Sequence, residues 1–273
     1  MPHELRTFLN QSHGKFQEQM PVLFLGHGNP MNALQTNEFT ESWALLGELL
    51  PVPKAILCVS AHWETSGTCV TAMPNPSTIH DFGGFPQELF NLEYPAPGSP
   101  DLAHAICNLL APKSVQLDYA WGLDHGSWSI LIHMYPQAQI PVVQLSLDYN
   151  LTPDEHYQLA MKLSILRNQG VLILGSGNLI HNLRLINWHD ATYAHTWAID
   201  AERIFNQLLL SNNHHGLLNY PALGQAIGNA VPTSEHIIPL FYVLALQQPS
   251  DTVVLFNQAI RMGSLSMTSV LIG

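Results

Sequence analysis

The sequence predicts one α/β domain with a mixed or mostly parallel central sheet, flanked by helices and carrying its site at the carboxyl ends of strands. Three observations lead there. Short apolar runs alternate with capped amphipathic segments, the order that stacks helices on a sheet. No composition shift, charge run or internal repeat divides the 273 residues. Two apolar runs finish within two residues of a histidine, at His27 and His62, and open α/β sheets bind ligands outside their strand carboxyl ends.

Residues 1–20 are polar and read as a loosely held N-terminal extension, with the structured domain spanning 21–273. Val22-Leu23-Phe24-Leu25 is a buried-type strand. Glu41 to Leu50 reads as a helix stopped by Pro51-Val52-Pro53, Lys54 to Ser60 as a second strand and residues 68–73 as a third. The Gly/Pro-rich stretch from Pro74 to Pro100 has the length of a functional loop. Ser99-Pro100-Asp101 supplies an N-cap, a first-turn proline and an acid at the positive dipole end, so a helix runs from there to Leu110. Gly126 to Tyr135 is a further helix and Pro141 to Leu147 a strand. Thr152-Pro153-Asp154-Glu155 has capping-box spacing and Gly170 provides a stop, which predicts one amphipathic helix between them. Val171 to Leu174 is a strand ending in Gly175-Ser176-Gly177; helices over 196–210 and 235–246 and strands over 252–256 and 267–272 complete the chain.

Composition excludes several classes. Charged residues make up 11% of the chain, against roughly 25% in soluble domains generally, which fits a compact fold and leaves room for a homo-oligomer that hides surface. A net charge of −11 with only nine Lys and Arg argues against nucleic acid and against anionic membrane surfaces. Cys58, Cys69 and Cys107 form no CxxC pair, as expected of a reducing compartment. No signal-peptide core opens the chain, and no apolar run approaches the roughly 18 residues of a membrane helix. A cytoplasmic protein is the expectation.

Histidine is the anomaly, with fifteen in the chain. Taken singly, each is better explained as a hydrogen-bonded core or loop residue than as a ligand. Five are placed otherwise: His27 and His62 at strand ends, His181 after Gly175-Ser176-Gly177-Asn178, His125 before a helix and His236 at a helix start. Gly26 and Gly28 around His27 allow close approach of backbone to a ligand. Neutral imidazole is the commonest protein metal ligand, and residues converging from several strand ends can surround one ion.

At these residues the sequence resembles the 4,5-DOPA extradiol dioxygenase family, within the class III extradiol enzymes. The resemblance is carried by Leu23-Phe24-Leu25-Gly26-His27-Gly28-Asn29-Pro30-Met31, Ser60-Ala61-His62-Trp63, Ile79-His80-Asp81-Phe82-Gly83-Gly84-Phe85-Pro86, Trp121-Gly122-Leu123-Asp124-His125-Gly126, His181-Asn182-Leu183-Arg184 and Gly263-Ser264-Leu265-Ser266-Met267. It covers nearly the whole chain from Pro21. It implies an α/β catalytic domain over 21–273 that opens a catechol ring with O₂. It implies metal ligation by His27, His62 and His236, with His181 either a further ligand or the acid/base, and His125 hydrogen bonding to substrate or oxygen. More distant class III enzymes have a carboxylate as third ligand; an all-histidine set suits zinc as well as iron, so Fe(II) and Zn(II) both stand.

Asp81 and Phe82 are candidate substrate contacts on a Gly-rich loop with Phe85, although Asp81 also suits orienting a histidine. Arg184 suits either a substrate carboxylate or a structural ion pair. Trp63, Trp121 and Trp128 are expected in the core. Two other functions fit the same residues: a zinc hydrolase of an amide or ester, and a non-catalytic metal-binding interaction protein.

Overall fold

The structure, a computed structural model, describes residues 2–273. Ten strands and eleven helices alternate along them. The strands are β1 (Val22–Gly26), β2 (Ala55–Thr65), β3 (Thr68–Thr71), β4 (Val115–Asp118), β5 (Val142–Asp148), β6 (Val171–Gly177), β7 (Val253–Phe256), β8 (Ile260–Arg261), β9 (Leu265–Ser266) and β10 (Ser269–Ile272). The helices are α1 (Pro2–Glu18), α2 (Glu38–Leu49), α3 (Gln87–Phe90), α4 (Pro100–Leu110), α5 (His125–Met134), α6 (Pro153–Met161), α7 (Ile165–Asn168), α8 (Thr196–Leu210), α9 (His214–Leu218), α10 (Gln225–Ala230) and α11 (Ile238–Leu244).

Eight strands form one sheet in the order β4-β3-β5-β2-β6-β1-β10-β7. Its centre, β5-β2-β6-β1, is parallel throughout, and antiparallel pairs join β3 to β5, β1 to β10 and β10 to β7. The central strands are near-continuous apolar runs because helices cover both faces. Alternation sorts the side chains. Val22, Phe24, Leu57, Val59 and Ile173 face a layer built from α4, α6, α8 and α11. Leu23, Leu25, Ile56, Cys58 and Leu172 face α1, α2 and α5.

Three expectations are corrected. Structure does not begin at Pro21: α1 lays Leu5, Leu9 and Phe16 into the core shared with α2, and a short apolar stripe within a polar helix is enough to dock it. The helix expected between Thr152 and Gly170 is two pieces, α6 and α7, broken at Lys162–Ser164. His236 lies in the turn before α11 rather than at a helical position. Among the described residues no helix is long and apolar enough to cross a membrane.

Candidate active site

The parallel strands deliver their carboxyl ends to one place. His27 follows β1, its backbone amide bonding to the Gly177 carbonyl at the end of β6 (3.1 Å). His62 lies in β2 where the pairing with β5 slips between Val59 and Glu64, an irregularity that re-aims a side chain beside a site. His125 is the first residue of α5, capped by Asp124. His236 is held from below: its carbonyl accepts from the Asn178 amide at 2.9 Å, and a Cβ on Gly177 would sit 2.2 Å from that oxygen. Only glycine at 177 lets the two backbones approach so closely.

Hydrogen-bond partners assign the ring tautomers. The Ser176 hydroxyl donates to the Gly126 carbonyl, so it accepts from His27 Nδ1 at 2.9 Å. His236 Nδ1 donates to Glu235 Oε1 at 3.0 Å, and His62 Nδ1 faces Asp81 Oδ2 at 3.5 Å. His27 and His236 thereby turn their Nε2 lone pairs inward, and the nearby Asp81 carboxylate favours the same tautomer of His62. His27 Nε2 and His62 Nε2 are 3.2 Å apart, and buried His236 Nε2 has no hydrogen-bond partner. One nitrogen from each of the three lies within 4.8 Å of the others. Metal–nitrogen bonds of about 2.0–2.1 Å place ligand nitrogens about 3.0–3.5 Å apart, so the inward-facing set fits a divalent cation. Burial and then the neighbouring rings push His27 and His236 well below the ordinary imidazole value, and burial, followed by His125, brings His62 to about 3 despite Asp81. All three rings are therefore neutral at physiological pH, the form a metal requires.

His181 is outside that trio. Its ring stacks on His236 with centroids 3.4 Å apart and planes 10° from parallel, and burial holds it down at about 4 even though Glu235 opposes the shift. Asp81 accepts from the His125 amide (2.8 Å) and from His125 Nδ1 (2.9 Å). Burial alone would raise the Asp81 carboxyl, but these bonds hold it net below its ordinary value. Underneath, the buried Asp124 carboxylate accepts from Ser60 Oγ (2.7 Å), the Ser127 amide (3.1 Å) and Gln144 Nε2 (2.6 Å). Burial and then Asp81 push its carboxyl up, so a fixed polar floor lies under His62 and His125.

A cavity of about 520 Å³ opens onto these groups, a size suited to a small aromatic molecule. His27, His62, Asp81, His125, His181 and His236 all line it. Phe82 does not. It packs edge-on against His125 (5.5 Å) and against Phe85 (5.4 Å), and Phe85 is the ring on the cavity wall. Trp63 and Trp128 are core, as expected. Sequence reading missed the apolar wall of Leu183, Ile186, Trp188, Met262 and Leu265, which comes from segments with no strand or helix period.

Residues 23–258 match the family of the catalytic LigB subunit of aromatic ring-opening dioxygenases. The chain is 49% identical to 4,5-DOPA dioxygenase extradiol of Escherichia coli K12 over 264 residues, 93% of this chain and 95% of that protein. It is 47% identical to the protein of the same name from Beta vulgaris over 257 residues, 91% and 94% of the two chains. The crystal structure of an uncharacterized protein from Escherichia coli K12 superposes with a TM-score of 0.80 at 44% identity, covering 93% of this chain and 99% of that one. A sheet that converges histidines at its strand ends thus stands beside close relatives along nearly its full length, and the chain belongs to the LigB-type family of extradiol aromatic ring-opening dioxygenases.

Proposed function

We propose that this protein opens the ring of a DOPA-like catechol with O₂ at a divalent metal held by Nε2 of His27, His62 and His236. The carrying observation is the three-histidine face, with His27 Nε2 and His62 Nε2 3.2 Å apart, buried His236 Nε2 without a hydrogen-bond partner, and one nitrogen of each ring within 4.8 Å of the others. Iron(II) bound there would supply the Lewis acidity and redox activity that dioxygen chemistry needs.

The chain's own residues do the rest. The cavity offers a planar aromatic the apolar side chains of Phe85, Trp188 and Leu265 to lie against. No protein group hydrogen bonds to the His181 ring among the described residues, so its tautomer is not fixed and its unprotonated nitrogen can take a catechol proton and later return it. Its stacking on His236 supports this acid/base role over ligation. His125, with Nδ1 committed to Asp81, presents Nε2, which accepts a proton when neutral and donates a hydrogen bond to developing negative charge once protonated. The LigB family assignment favours ring opening over an amide or ester hydrolase and over a non-catalytic binding protein.

The test is anaerobic reconstitution with Fe(II), addition of DOPA and then of O₂. Stoichiometric oxygen uptake with a yellow ring-opened product, absent from the zinc form, is the expected result. A fully metal-loaded protein that turns over no catechol, or a zinc form that hydrolyses an ester without O₂, would overturn the reading.

A further inference from the structure

Beside the metal cavity lies a second cleft of about 340 Å³. The two adjoin through Gly28, Asn29, Met262 and Leu265, which line both. Glu38, at the start of α2, and Arg261, at the end of β8, stand in the second cleft as an ion pair between Oε1 and Nη2. The guanidinium is also seated over the Phe39 ring, 4.9 Å from its centroid. The charged ends stay accessible, with side-chain exposures of 30% for Arg261 and 55% for Glu38. Register relates the backbone of Arg261 to that of the site. Arg261 pairs with Leu265, and Leu265 bridges on to His181. Two strand spacings separate Arg261 from His181 in backbone position, about 10 Å, so the second cleft opens directly beside the metal cavity.

We infer that Glu38 and Arg261 form a subsite for the zwitterionic head of an α-amino-acid catechol, the carboxylate on Arg261 and the ammonium on Glu38. This rests on the DOPA-like catechol reading above and assigns the residues that hold the head of such a substrate. Adjacent opposite charges on a rigid support match an α-amino acid and no simpler catechol. Arg261 spends Nη2 on Glu38 and keeps further donors in its planar fork for a carboxylate. A chain of net charge −11 repels anions in general, so an anionic head needs a local cation at the cavity edge. Arg184 offers one in a different cleft, with His181, Thr233 and Glu235. There Glu235 Oε1 accepts from Thr233 and from the site histidine His236, so an ammonium drawn to that carboxylate would compete with the bond that orients His236, a conflict Glu38 does not have. As a half-exposed ion pair, Glu38–Arg261 contributes little to stability, so neutralising it leaves the fold intact.

The experiment compares kcat/KM of the iron-loaded enzyme on four catechols: DOPA, dopamine, 3-(3,4-dihydroxyphenyl)propionate and 4-methylcatechol. Wild-type enzyme is expected to prefer DOPA to each of the others. Arg261→Gln should shrink the DOPA-over-dopamine ratio by about tenfold to a hundredfold, the usual effect of losing a hydrogen bond to a charged group. Glu38→Gln should shrink the ratio of DOPA to the propionate similarly, and Arg184→Gln should shift neither. Calorimetric titration of the metal-loaded protein with L-tyrosine, which carries the head but cannot be opened as a catechol, reads the subsite without turnover; R261Q should weaken it by the same factor. If catechols are opened but the ratios survive both substitutions, or fall instead in R184Q, the subsite is wrong. If no catechol is opened, the catechol reading fails separately, and tyrosine binding that is unchanged in R261Q overturns the subsite too.

Discussion

The Asp81 carboxylate holds His125 at two points, the backbone amide at 2.8 Å and ring Nδ1 at 2.9 Å. One side chain thus fixes where α5 begins, which way the imidazole points and which nitrogen carries its proton. Asp81→Asn keeps the size but turns one acceptor into a donor facing the ring N–H. Partners that orient a site histidine typically contribute 10–100-fold in affinity or activity. Turnover of D81N, measured at saturating metal with occupancy checked by elemental analysis, should therefore fall by about that factor. Wild-type turnover in D81N would show that His125 needs no such support.

Removing imidazoles one at a time separates ligand from acid/base. Alanine at 27, 62 or 236 takes away one of three nitrogens that lie within 4.8 Å of one another, and bound metal should drop well below stoichiometric after dialysis. Alanine at 181 removes a ring that stacks on His236 from outside the trio. His181→Ala should keep its metal and lose turnover by about 10²–10⁴-fold, the usual range for a proton-transfer group. An H181A protein that cannot hold metal would make His181 a fourth ligand.

Gly177 sets the height of His236. An added Cβ would lie 2.2 Å from the His236 carbonyl and 3.3 Å from the Phe24 ring, the one in the turn before α11 and the other in the packed centre of the sheet. Gly177→Ala should lower stability by about 1–3 kcal/mol, as overpacking does, and weaken metal binding because His236 is pushed off its place. Urea unfolding and metal titration read the two effects; a G177A protein with unchanged metal affinity would show that the His236 turn can yield.

The sheet was legible because its central strands, buried on both faces, are written as apolar runs such as Val22–Leu25 and Val171–Leu174 with glycine after them. Capping told where α4 and α6 begin, since Ser99 and Thr152 act through bonds to neighbours in sequence. Family motifs brought together the histidines, which spacing could not: His27 and His236 meet only through the β1–β6 pairing and the turn beyond Asn178. Two things stayed hidden. Helix α1 is polar over most of its surface, so the three apolar residues it buries give too weak a stripe to distinguish it from a loosely held extension. The cavity wall from Leu183 to Trp188 belongs to a loop whose side-chain directions are set by β8–β9 packing far away in sequence.

A final prediction concerns how the chain's two ends are tied together. Arg167, buried on α7, donates Nε to the Met20 carbonyl (2.8 Å) and Nη1 to the Leu246 carbonyl and to Asp251 Oδ2 (2.7 Å each). It thereby joins the exit of α1, α7 and the segment before β7, and Lys15 of α1 approaches the same carboxylate at 3.4 Å. Burial would raise the Asp251 carboxyl, but the Arg167 guanidinium and the Gln248 amide hold it net below the ordinary carboxylate value. A carboxyl depressed in the folded state binds its proton more readily when unfolded. Its stabilisation is therefore complete above the unfolded value of about 3.9 and disappears as pH falls through the lower folded value. Asp251→Asn should destabilise the protein at neutral pH by about 3–5 kcal/mol, because it leaves a buried guanidinium without its counter-charge. It should also flatten the acid limb, since the mutant has no proton to take up there. Urea unfolding between pH 7 and pH 3 measures both, and parallel acid limbs in wild type and D251N would mean that this pair does not govern acid stability.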